Sequence, residues 1–180
     1  ASDVYKRQPE RFAAARACGF EAVECQFPYA HPADELAALL QAQGQRMVLH
    51  NLPAGDWAAG ERGIACHPGR VSEFLSGVEQ AIGYARALGV PQLNALAGVP
   101  PEGVDAREAL QTLRANLRTA ARMLAGHGLR LLVEPINTFD VPGFFVSRPS
   151  QALALIGELR EQHTLDNLFL QYDVYHAQRM

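Results

Sequence analysis

Apolar residues recur along this chain in two alternating rhythms. Residues 9–19 read as a short amphipathic helix ending at Gly19, and residues 21–27 then alternate in the manner of a buried strand. The pair repeats: a helix over residues 32–43 meets Gly44, and a strand over 46–50 follows. Within residues 69–88, Val71, Phe74, Leu75, Val78, Ile82 and Ala85 share one helical face, which Gly89 terminates. A strand over 92–97 leads to a long helix from Ala106, with Leu110, Leu113, Leu117, Ala121 and Leu124 at helical spacing, ending near Gly126 and Gly128. Residues 129–136 then read as a strand, 150–160 as a helix and 167–174 as a strand.

Strands alternating with helices at this spacing predict βαβ units, a parallel sheet and right-handed crossovers, so the fold class is α/β. A complete (β/α)₈ barrel needs roughly 250 residues, more than the 180 here. The chain stops just after a strand with no helix to cover it, and residues 1–8, ASDVYKRQ, carry no strand pattern and resemble a translated cloning scar. The expectation is a partial (β/α)₈ TIM barrel over residues 9–180, with about the second to sixth strands present and the first and the C-terminal strands missing.

The period of two along a strand also orients its side chains. Setting Leu131 and Val133 outward against helices turns Leu132 and Glu134 inward, and the same rule turns Phe169, Gln171 and Asp173 inward. Glu24 and Gln26, Val48 and His50, and Asn94 follow on the other strands. Each strand thus delivers a polar group to one rim, where parallel barrels carry their active sites. Burying such groups costs a few kcal/mol each unless they are paired, solvated or bound to a ligand, so a functional pocket is expected. Glu134 and Asp173, two carboxylates near a shared lumen, point to acid/base or metal chemistry.

Two connections exceed the roughly two to six residues usual between strand and helix. Residues 51–68 combine glycine hinges with Asp56, Trp57, Glu61 and Arg62, a composition suited to a lid that excludes water and grips a carboxylate through arginine. In residues 137–149, Phe144 and Phe145 suit either an apolar wall of the site or a satellite core. His176, just beyond Asp173, is a candidate substrate hydrogen-bond partner, whereas His31, His67, His127 and His163 lack ligand spacing.

Composition narrows the partners. A hydrophobic content of 48% supports one buried core, and 16 basic against 19 acidic residues give a net charge of -3, which favours neither nucleic acid nor an anionic membrane. A small molecule is the expected partner and the cytoplasm the expected location, since no apolar stretch spans a bilayer and no secretory pattern opens the sequence. Cys18, Cys25 and Cys66 form no C-x-x-C pair and read as reduced core or loop residues. No zinc-protease, Walker, dinucleotide-binding or nucleophile-elbow motif is present.

Three stretches carry a family resemblance: HNLPAGDWAAGERGIACHPGR (50–70), VEPINTFDVPGFFVS (133–147) and NLFLQYDVYHAQRM (167–180). They resemble the hydroxypyruvate isomerase family, including its 2-oxo-tetronate isomerase relatives, within the xylose-isomerase-like barrels. The resemblance implies interconversion of hydroxypyruvate and tartronate semialdehyde, or of a related 2-oxo sugar acid, by proton transfer through an enediolate. It implies a divalent cation, Mg²⁺ or Mn²⁺, with Glu134 matching a catalytic glutamate that is also a metal ligand and Asp173 matching the next ligand. A third ligand and a second catalytic glutamate would follow Met180. His50, Trp57, Arg62, His176 and Glu24 are the expected substrate-binding residues. The competing readings are an endonuclease-like metallohydrolase on the same barrel, which the acidic balance disfavours, and a non-catalytic sugar-acid binding module.

Overall fold

The computed structural model describes residues 8–180; residues 1–7, and with them most of the expected scar at 1–8, lie outside it. The first helix, α1, already starts at Gln8 and runs Gln8–Ala17. It is followed by β1 (Ala22–Cys25), α2 (Ala33–Ala42) and β2 (Arg46–Asn51). A short 3₁₀ turn (Pro68–Arg70) introduces α3 (Val71–Leu88), and β3 (Gln92–Ala95), α4 (Ala106–Ala125), β4 (Arg130–Val133), α5 (Pro149–His163), β5 (Leu168–Leu170) and α6 (Val174–Ala177) complete the order.

The helices arise where the sequence pattern demanded them. On α4, Leu113, Leu117, Ala121 and Leu124 are buried on one stripe, and Asp105 caps its start by accepting hydrogen bonds from the amides of Arg107 (2.8 Å) and Glu108 (2.9 Å). α3 ends at Gly89, whose φ of 66° is the left-handed conformation that closes a helix.

The five strands are parallel and lie in sequential order, β1-β2-β3-β4-β5, and each of α1 to α4 packs against the next helix. All crossovers therefore cover one face of the sheet. This single winding is the TIM-barrel type, since a doubly wound sheet reverses its strand order and carries helices on both faces. Leu131 and Val133 sit fully buried in the core between sheet and helices. Leu132 and Phe169, paired in register, occupy the opposite face.

Two strand expectations are corrected. The register slips between Val23 and Glu24, with Val23 opposite Met47 and Glu24 opposite Leu49. Val48 is left as the extra residue of a bulge, and Leu49, not Val48, lines the lumen beside His50. The final strand is also shorter than residues 167–174: Asp173 accepts from the Tyr175 amide (2.7 Å) and caps α6, which turns the chain out of the sheet.

Candidate active site

Parallel strands of similar length end at one rim, and here they open onto a pocket of about 200 Å³. β1 and its end contribute Glu24 and Gln26, β2 His50 and Asn51, and β3 Asn94. Glu134 follows β4, Gln171 and Asp173 follow β5, and His176 comes from α6. Trp57 and Arg62 close one side from the long connection after β2. All seven residues singled out from the sequence, Glu24, His50, Trp57, Arg62, Glu134, Asp173 and His176, thus line the same cavity.

Glu134 is the most perturbed acid. Burial pushes its pKa up to about 7, with the nearby charges of Asp173 and Glu24 adding to the rise and a hydrogen bond from Asn94 opposing it. That bond runs from Asn94 Nδ2 to Glu134 Oε2 at 2.6 Å, and the same amide donates to Asn51 Oδ1 at 3.1 Å. Asn94 is itself buried, with its Oδ1 unpaired.

His50 is equally constrained. Burial lowers its pKa to about 4, so the ring is neutral near pH 7. Tyr29, kept protonated by burial, donates its hydroxyl proton to the Asn51 carbonyl at 2.5 Å. His50 Nδ1 faces both that carbonyl (3.1 Å) and the Tyr29 oxygen (3.2 Å). Since the carbonyl only accepts and the hydroxyl proton is already placed, the proton of the neutral ring belongs on Nδ1. Nε2 then holds a lone pair and has no partner among the described residues.

Arg62 stacks over the Trp57 ring, 4.2 Å from its centroid, and Trp57 in turn packs on Phe27 at 4.8 Å between centroids. Arg62 Nη1 donates to the carbonyls of Trp57 (3.1 Å) and Glu61 (2.7 Å), which fixes the guanidinium beside a pocket otherwise lined by three carboxylates. The connection carrying it is not the free lid its composition suggested. Ile64, Ala65 and Cys66 are buried in the core, and the Cys66 amide donates to the Ala97 carbonyl at 2.9 Å. Gly63 and Gly98 press their backbones together so closely that a Cβ on Gly98 would stand 2.1 Å from the Gly63 oxygen. The apolar residues in this loop outweigh its hinges, so it folds as part of the wall.

The second long connection divides differently. Phe144 joins the core, and Phe145 lines an outer groove with Leu110 and Leu155; Ile136 and Val141 supply the apolar wall of the pocket instead. Cys25 and Cys66 are buried, which raises their pKa to about 11 and about 12 and keeps both thiols protonated and inert.

Glu134, Asp173 and His176 each offer a ligand atom, all within 4.8 Å of one another. Two carboxylates in an acid-rich cleft suit a hard divalent cation, which would neutralise the charge that burial penalises at Glu134. Three residues of this network escaped the sequence reading: Tyr29, Asn51 and Asn137. The asparagines had as signal only their place in the H-N step that ends β2 and the P-I-N step that follows β4, and Tyr29 had none.

With this geometry in hand, comparison with known proteins is informative. The sequence profile of the xylose isomerase-like TIM barrel matches residues 12–180. Hydroxypyruvate isomerase of Escherichia coli is 51% identical over 170 residues, covering 94% of this chain and 64% of that protein. The 2-oxo-tetronate isomerase of Cupriavidus necator is 43% identical over 169 residues, again covering 94% of this chain and 64% of that protein. A crystal structure described as an AP endonuclease, family 2, from Brucella melitensis superposes with a TM-score of 0.89 at 42% identity, covering 96% of this chain and 65% of that one. The chain therefore spans a little under two thirds of the length of these relatives. Sequential parallel strands, helices on one face and carboxylates gathered at the strand ends agree with the profile match: the chain belongs to the xylose isomerase-like TIM barrel family.

Proposed function

We propose that these residues build the substrate pocket of an isomerase that interconverts hydroxypyruvate and tartronate semialdehyde, or the corresponding forms of a 2-oxo-tetronate. The observation that carries the reading is Glu134: a desolvated carboxylate with a pKa pushed up to about 7, at the end of a barrel strand, in a pocket that also holds Asp173 and Arg62. A group that exchanges its proton near neutrality suits general acid–base work better than passive recognition of a sugar acid. The E. coli and C. necator relatives support the same class by name.

In this reading Arg62 holds the substrate carboxylate, and its stacking on Trp57 keeps the guanidinium in place at little further entropic cost. His50 Nε2, lacking a protein donor, accepts from a substrate hydroxyl, and Glu24 lies on the same wall. Glu134 takes the proton from C3 of hydroxypyruvate, an enediolate forms across C2 and C3, the hydroxyl proton passes from the C3 oxygen to the C2 oxygen, and a proton returned to C2 gives the aldehyde. By the family resemblance the second proton-transfer group is another glutamate, not among these 180 residues. Glu134 and Asp173 would hold a divalent cation, Mg²⁺ or Mn²⁺, whose contribution is Lewis-acid stabilisation of the enediolate oxygens. The five strands are then an arc of about the second to sixth strands of the barrel, with residues 9–180 as one barrel domain.

The test is a chimera in which residues 12–180 replace the matching part of the E. coli relative. It should interconvert hydroxypyruvate and tartronate semialdehyde, and Glu134→Gln should lower kcat by at least about 10²-fold while leaving thermal unfolding cooperative. An inactive chimera beside an active parent, or near-normal turnover by the variant, overturns the assignment.

A further inference from the structure

Asn137 is fully buried just beyond β4, and the orientation of its amide is decided by four neighbours. Its Oδ1 accepts from the backbone amides of Phe139 (3.1 Å) and Asp140 (2.9 Å). Its Nδ2 donates to Asp140 Oδ2 at 2.8 Å and lies 2.7 Å from His176 Nδ1. Turning the amide over would set its NH₂ against two N–H donors and its oxygen against a carboxylate. Asp140 is held ionised by the Asn137 hydrogen bond, with Arg179 3.6 Å away, so it is an acceptor only.

This fixes the histidine. With an amide hydrogen aimed at it, His176 Nδ1 must present its lone pair, so the ring N–H sits on Nε2, directed away from Asn137. Ligation through Nε2 would require the opposite tautomer, with an Nδ1–H facing the Asn137 NH₂. Ligation through Nδ1 would displace the Asn137 bond. The proximity of His176 to Glu134 and Asp173 therefore overstates its fitness as a ligand.

We propose that Asn137 is a positioning residue that locks His176 in the Nε2–H tautomer, so that His176 serves the pocket as a hydrogen-bond donor to a substrate oxygen and not as a metal ligand. The identity of that oxygen rests on the isomerase reading: the donor would face the oxygen that gains charge as the enediolate forms, where one preorganised donor contributes roughly 10²- to 10³-fold. The tautomer does not depend on it.

The decisive experiment is ¹⁵N NMR of the metal-free protein labelled at histidine, with His176→Gln identifying the His176 signals. We expect a pyrrole-type Nε2 and a pyridine-type Nδ1; the reverse pattern overturns the proposal. Asn137→Asp combined with Asp140→Asn exchanges donor and acceptor while retaining the loop's hydrogen bonds, and should invert the His176 tautomer. An unchanged tautomer in a folded double variant removes Asn137 from its role. In Mn²⁺ titrations His176→Gln should weaken binding less than Asp173→Asn does, whereas a loss matching that of Asp173→Asn makes His176 a ligand and ends the proposal. In the active chimera the double exchange should lower kcat about 10²-fold with a smaller change in KM. A chimera without turnover defeats the isomerase reading and leaves the tautomer to be decided by the NMR result.

Discussion

Asn94 Nδ2 donates to Glu134 Oε2 over 2.6 Å, from the strand beside β4. The bond occupies one carboxylate oxygen, and it stabilises the ionised form of an acid that burial would otherwise keep protonated. Burial wins, since the Glu134 pKa is raised to about 7.

That balance predicts a pH-dependent stability. Below pH 4.5 Glu134 is protonated folded or unfolded and contributes nothing. Between 4.5 and about 7 the unfolded chain ionises while the folded one retains its proton, so stability falls as pH rises, and above about 7 the loss levels off. At about 1.4 kcal/mol per pH unit the cost reaches at most about 3.5 kcal/mol. Glu134→Gln in metal-free protein should therefore be the more stable form at pH 8, with the advantage vanishing below pH 4.5. Denaturant titrations at both pH values check it, and equal stabilities at pH 8 would show that Glu134 is better solvated than its surroundings indicate.

Asp173→Asn should weaken Mg²⁺ or Mn²⁺ binding by about tenfold or more, because one anionic oxygen ligand becomes neutral. The cap on α6 should survive, since asparagine caps as well as aspartate. Calorimetric titration of both forms provides the measurement; matching affinities would exclude Asp173 as a ligand.

Arg62→Lys keeps the charge but loses the planar face that stacks on Trp57 and the Nη1 group that donates to two carbonyls. A charged hydrogen bond is worth roughly 1.5–3 kcal/mol, so KM for hydroxypyruvate in the chimera should rise about 10- to 100-fold. Binding of a neutral ketol lacking the carboxylate should change little. An equal loss for both compounds would mean that Arg62 supports the wall and does not read the acid.

Gly63→Ala should destabilise the protein by forcing apart the connections after β2 and β3. Its φ of 122° is a glycine conformation that costs of order 1–3 kcal/mol with a side chain, and the new Cβ would lie 2.4 Å from the Leu96 carbonyl oxygen. Thermal unfolding should shift down by several degrees; an unchanged midpoint would show that the two connections part easily.

The sequence by itself determined the alternation of strands and helices, the parallel α/β class and the set of polar residues brought to one rim. Each follows from a local rule: a period near 3.6 or of two, glycine after a helix, and the opposite facing of neighbours such as Val133 and Glu134. Only the tertiary structure decided how those residues act. Asn94 meets Glu134 across 40 positions and Asn137 meets His176 across 39, through hydrogen bonds that leave no trace in any local pattern. The bulge that exchanges Leu49 for Val48 depends on pairing with β1. The connection after β2 looked mobile because its glycines suggest hinges, yet one of them, Gly63, packs instead against Gly98 of the connection after β3, and Ile64 and Cys66 sit in the core. Side-chain periodicity reports which face a residue takes, whereas protonation, tautomer and fixation depend on partners supplied by distant parts of the chain.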